Sequence, residues 1–103
     1  MTYSIITSKH AQTDIDETVE YISVTLSNKK AARDFLDNLR KHYKTIASNP
    51  QLYPIARNPL LKAKGYHWFP LGNFMVFYTI DDQEKVIRIA RVIYGKRNLE
   101  ALL

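Results

Sequence analysis

Residues 66–94 hold β-prone, mostly apolar runs separated by two tight-turn signals, and nothing else in the chain constrains the fold as strongly. Gly72-Asn73 divides Lys62–Phe69 from Phe74–Ile80, and Asp81-Asp82-Gln83-Glu84 divides the latter from Val86–Tyr94. Glycine and asparagine tolerate the left-handed backbone that tight hairpins need, so such dipeptides between β-rich runs mark hairpins. Hairpin connections make the three strands antiparallel. The middle run, FMVFYTI, is apolar throughout, as expected of a central strand covered on both faces.

The upstream half supplies the covering. Tyr3–Thr7 reads as a short strand, and Ser8 can cap the helix after it. In that helix Ala11, Ile15, Val19, Ile22 and Leu26 recur at spacings of three and four, which places them on one face. Asp14, Asp16 and Glu17 are expected early in it, near the positive end of the helix dipole. Ser27-Asn28 breaks the helix, and Asn28 is a candidate cap for the next. There Ala32, Phe35, Leu36, Leu39, Tyr43 and Ile46 form a stripe that ends before Asn49-Pro50. Residues 50–61 contain three prolines and read as an ordered loop, with Leu52, Tyr53 and Ile55 tucked beneath it. The predicted order is β-α-α-β-β-β with a short C-terminal helical tail: an α+β fold in which an N-terminal strand and a helical hairpin pack on a mainly antiparallel sheet. At 103 residues, one domain spanning 1–103 is expected.

Composition excludes several chemistries. There is no cysteine, so disulfides and thiolate metal sites are ruled out. The three glycines, Gly65, Gly72 and Gly95, form no phosphate-binding loop. His10, His42 and His67 fall on different elements and match no metal-ligand spacing; no metal and no cofactor is expected. No apolar run approaches the roughly 18 residues that span a bilayer, and MTYSIITSKHAQ has no apolar signal region. A cytoplasmic protein without membrane contact is therefore expected.

The charge is uneven. The net charge is +5, and residues 51–103 carry eight Lys/Arg against four Asp/Glu. Lys62, Lys64, Arg91 and Lys96 are the candidate contacts to a target. Arg88 and Arg91 lie on opposite sides of their strand unless a bulge intervenes. Tyr66, Trp68 and Tyr94 are interleaved with these cations. Such a surface suits RNA, with cations for phosphate and flat rings for unstacked bases. Cleavage by 2′-OH attack needs a base, charge stabilisation at phosphorus and an acid for the leaving oxygen. Tyr94, His67, Lys96 and Arg97 are the residues able to take those parts. Tyr66 and Trp68 share one side of their strand and read as core in preference to RNA-stacking rings.

Several segments, taken in order, resemble the RelE/ParE superfamily of bacterial toxins. They are Asp14-Ile15 with Val19-Glu20-Tyr21-Ile22-Ser23, then Ala31-Ala32-Arg33-Asp34-Phe35-Leu36, Pro50 through Tyr53-Pro54, Leu71–Tyr78, and Ile89–Leu103. The resemblance implies the toxin of a type II toxin–antitoxin module, one that arrests growth and is neutralised by a cognate antitoxin. It implies two targets: DNA gyrase for ParE-like members, and mRNA in the ribosomal A site, cut without metal, for RelE-like members. By that resemblance the two strand lysines of the ribonuclease pattern fall on Tyr66 and Trp68. Its arginine after the Gly-Asn turn falls on Met75, and its C-terminal tyrosine falls on Leu103. Arg97 keeps the arginine that comes after the Gly-Lys pair, and Tyr94 corresponds to a tyrosine that other ribonuclease members place near the end of the last strand. The expectation leans to gyrase inhibition, with ribosome-dependent mRNA endonuclease as the alternative and a non-toxic antitoxin-binding homologue as a third. If the protein is an enzyme, Arg97, Tyr94 and His67 are its candidate catalytic residues. Oligomeric state is not legible.

Overall fold

A computed structural model describes residues 2–95; Lys96, Arg97, Leu103 and the expected C-terminal tail lie outside the described residues. The elements are β1 (Ser4–Thr7), α1 (Lys9–Glu20), a π-helical turn (Tyr21–Thr25), α2 (Lys29–Ser48), α3 (Pro59–Ala63), β2 (His67–Leu71), β3 (Phe74–Asp81) and β4 (Val86–Tyr94). The sheet order is β1-β4-β3-β2. β2, β3 and β4 are antiparallel, whereas β1 runs parallel to β4, with Ser4 opposite Val86 and Thr7 opposite Ile89. The α+β class and the order of elements agree with the sequence reading.

Local capping explains the helix starts. Ser8 Oγ accepts from the Ala11 amide at 3.0 Å, and Asn28 Oδ1 accepts from the Ala31 amide at 3.0 Å. The two apolar stripes meet one face of the sheet. Ala11, Ile15, Phe35, Leu39 and Ile46 pack with Phe69, Leu71, Val76, Tyr78, Ile87, Ile89 and Val92. Each large apolar side chain buried there contributes about 1.5–3 kcal/mol relative to exposure. The opposite sheet face carries a smaller cluster of Phe77 and Ile93 with Ala56 and Leu61, flanked by Tyr66, Trp68 and Met75. Tyr66 and Trp68 therefore serve this second core.

Four local expectations are corrected. The first helix does not continue regularly to Ser27: after Glu20 it widens into the π turn, and the Leu26 amide reaches back five residues to the Tyr21 carbonyl at 3.0 Å. An extra residue in a turn rotates the next side chains off the stripe, so Leu26 is 54% exposed rather than core. The first turn of α1 contains no acid, so Asp14 serves β4 and not the helix dipole. Lys62 does not begin a strand. Asn58 Oδ1 accepts from the Leu60 and Leu61 amides, and Pro59 opens α3, where its missing N–H costs nothing. The sheet resumes at His67, leaving Lys62 on α3 and Lys64 at its C-terminal cap. Finally, Leu52 and Ile55 are exposed and not tucked under the loop; only Tyr53 packs inward.

Candidate functional site

The C-terminal end of β4 is built by the hairpin before it. Gly72 adopts φ +60°, a conformation glycine reaches without strain, and the turn sets Phe74 opposite Tyr94. The two rings meet edge to face with centroids 5.8 Å apart. The Gly95 amide donates to the Asn73 carbonyl at 2.9 Å, and a Cβ at Gly95 would stand 3.3 Å from that oxygen. Glycine thus lets the backbone leave the sheet close to the preceding turn.

Where β1 ends, α1 completes the edge of β4. The Ser8 amide donates to the Ile89 carbonyl at 3.0 Å, and Ser8 Oγ donates to the Ala90 carbonyl at 2.9 Å. Asp14 Oδ2 then accepts from the Val92 amide at 3.0 Å and from Arg91 Nε at 2.8 Å, while Oδ1 accepts from Arg91 Nη2 at 3.0 Å. A bulge causes this geometry: Phe77 faces Arg91 and Tyr78 faces Ile89, leaving Ala90 without an opposite residue. The hydrogen bonds with Asp14 raise the Arg91 pKa against the opposing effect of burial, and the Asp14 and Glu17 charges add to the rise. Beside this pair lies a groove of about 530 Å3, whose walls include Glu17, Thr18, Tyr21, Phe74 and Tyr94.

The expected site residues do not converge. Tyr94, 37% exposed, and Arg91 line this groove, but the Arg91 guanidinium is bound to Asp14. The bulge does bring Arg88, opposite Thr79, and Arg91, opposite Phe77, to the same side of β4, but Arg88 is exposed while the Arg91 guanidinium is held by Asp14. His67 pairs with Tyr78 while Tyr94 pairs with Phe74, so they stand roughly 13 Å apart along the strands and roughly 10 Å across them. His67 Nδ1 donates to the Tyr53 carbonyl at 2.7 Å, and its ring stacks on Tyr78 at 5.4 Å. Lys62 and Lys64 are exposed near the start of β2, away from the groove. Lys96 and Arg97 lie outside the described residues. Among the described residues no group of three or more metal-capable side chains comes together. Asp14, Glu17 and Tyr21 are groove residues that the sequence reading does not name as site residues; the i, i+3, i+7 spacing of positions 14, 17 and 21 is the signal that carries them.

A family model for the ParE toxin of type II toxin–antitoxin systems, parDE, matches residues 5–99. The chain belongs to the ParE toxin family. Its fold is that of known toxins at low identity. The chromosomal ParDE system of P. aeruginosa has a chain 17% identical with a TM-score of 0.70, covering 92% of this chain and 98% of that one. The RelBE2 toxin–antitoxin complex of Mycobacterium tuberculosis has one 17% identical with a TM-score of 0.65, covering 91% and 99%. A free mutant of E. coli RelE is 13% identical, with a TM-score of 0.62, covering 93% and 86%. A comparison with curated proteins finds no match. In this ParE-family chain no helix among the described residues is long and apolar enough to cross a membrane.

Proposed function

We propose that this ParE-family toxin arrests growth by inhibiting DNA gyrase through protein contacts, and that a cognate antitoxin neutralises it. One observation carries the preference over RNA cleavage. Tyr66, Trp68 and Met75, the positions where the ribonuclease pattern implies cations, are packed around Phe77 in the second core. The separation of His67 from Tyr94, and the engagement of His67 with Tyr53, point the same way. A groove edged by Tyr21, Tyr94 and Glu17 offers amphipathic rings and a carboxylate, which suit a protein partner. The solved relatives described as toxin–antitoxin complexes support the antitoxin. The RelE-like alternative rests on the basic C-terminal half and on Lys62, Lys64, Lys96 and Arg97. Purified protein is added to a gyrase supercoiling assay and, separately, to a translating extract with a defined mRNA. The expected result is loss of supercoiling with intact transcript. Codon-positioned cleavage with normal supercoiling overturns the proposal, and a protein inert in both assays leaves antitoxin binding as its only role.

A further inference from the structure

α1 is the acidic element of a basic chain. Asp14, Asp16, Glu17 and Glu20 are four of the ten Asp/Glu, and Lys9 is the one Lys/Arg in the helix. Two of these acids, Asp14 and Glu17, line the groove of about 530 Å3 beside the end of β4. Their charges are not equivalent there. The Asp14 carboxylate and the Arg91 guanidinium cancel as a two-point pair at 2.8 and 3.0 Å. Glu17 is exposed and enters no ion pair among the described residues, so it leaves the groove with a net negative charge. Tyr21 follows Glu17 by four residues, which sets its exposed ring beside that carboxylate, one helical turn on. The wall supplied by β3 and β4 carries Phe74 and Tyr94, whose rings meet edge to face at 5.8 Å.

We infer that this groove receives an arginine side chain presented by a partner polypeptide. A guanidinium is planar, weakly hydrated and always charged, so its edge can donate to a carboxylate while its face lies on an aromatic ring. Glu17 supplies the acceptor, and Tyr21 and Tyr94 supply rings on the two walls. A lysine ammonium is compact and strongly hydrated, and loses more on leaving water. A phosphate or an acidic side chain meets repulsion here, because the groove is negative although the whole chain carries +5. The inference rests on the groove being a protein-contact site, as proposed above, and names the side chain it contacts; it does not require that the partner be gyrase.

The test uses the full chain and three labelled synthetic peptides of Leu, Ala and Ser that differ at one central residue: arginine, citrulline or glutamate. Citrulline keeps the planar shape and loses the charge. Net charge alone makes a +5 chain prefer the neutral or acidic peptide. The groove predicts the reverse order, with the arginine peptide bound about tenfold more tightly than the citrulline one. Glu17→Gln should remove that difference. Glu20→Gln takes the same charge from α1 outside the groove and should preserve it, and both variants, at exposed positions, should keep the wild-type melting temperature. Equal affinity for the arginine and citrulline peptides overturns the inference. So do absence of saturable arginine-peptide binding, tighter binding of the glutamate peptide, or equal loss in the two variants. Self-association that Glu17→Gln abolishes, without arginine-peptide binding, makes a second copy the occupant and also overturns it. If Glu17→Gln lowers the melting temperature, Tyr21→Leu replaces it; it should weaken the arginine peptide more than the citrulline one, and unchanged affinities count against the proposal. Peptide binding without loss of supercoiling discards the gyrase reading alone, and loss of supercoiling without peptide binding discards this inference alone.

Discussion

Asp14 grips Arg91 in two-point contact, its oxygens 2.8 and 3.0 Å from Nε and Nη2, and also accepts the Val92 amide. One carboxylate thus ties α1 to the bulged edge of β4. Both side chains are largely buried, 14% and 15% exposed, so removing one partner strands the other. Asp14→Ala should cost about 3 kcal/mol, measured by chemical denaturation. Asp14→Leu combined with Arg91→Met should cost less than either single change. Additive losses would mean the pair is not coupled.

His67 separates the two readings of the toxin. Its Nδ1 bond to the Tyr53 carbonyl and its stacking on Tyr78 hold the Tyr53 loop against β2. His67→Ala is expected to lower stability by about 1–2 kcal/mol and to leave growth arrest intact at low temperature. Loss of arrest with unchanged melting would instead assign His67 a direct role.

Tyr78 is fully buried, and its hydroxyl donates to the Pro50 carbonyl at 3.0 Å. Burial pushes its pKa up from 10.0 to about 12. Because the folded value is the higher one, this contribution to stability is complete below pH 10.0 and is lost as pH rises towards about 12. Alkaline titration of tyrosinate absorbance should show a late-ionising tyrosine that disappears in Tyr78→Phe. That variant also orphans the Pro50 carbonyl and should cost about 1 kcal/mol at neutral pH.

Gly72 turns the β2–β3 hairpin at φ +60° with open space around it. The cost of Gly72→Ala is therefore conformational, about 1 kcal/mol, and Gly72→Asn should cost less because asparagine tolerates this region better. Thermal denaturation of the two variants checks the order. Equal losses would point to a clash that the open surroundings do not predict.

Local pattern alone determined the two helical stripes, their Ser8 and Asn28 caps and the two hairpins of the C-terminal half. These features depend on residues within a few positions of one another, and periodicity records such neighbours directly. The resemblance, carried by segments spread over most of the chain, also pointed to the toxin family. Residues 50–61 read as a loop in the sequence, because the run after Asn58-Pro59 is too short to show the helical period of α3. Only the tertiary structure decided that β1 lies parallel to β4, that Ala90 bulges so that Arg91 reaches Asp14, and that His67 and Tyr94 stand at different ends of the sheet. Those outcomes depend on register between strands far apart in sequence, where one residue of slip reassigns every side chain to the other face. Residues such as His67, Tyr94 and Arg91 are individually legible as reactive types. Whether they share a site is set by long-range pairing, to which their own neighbours in sequence are indifferent.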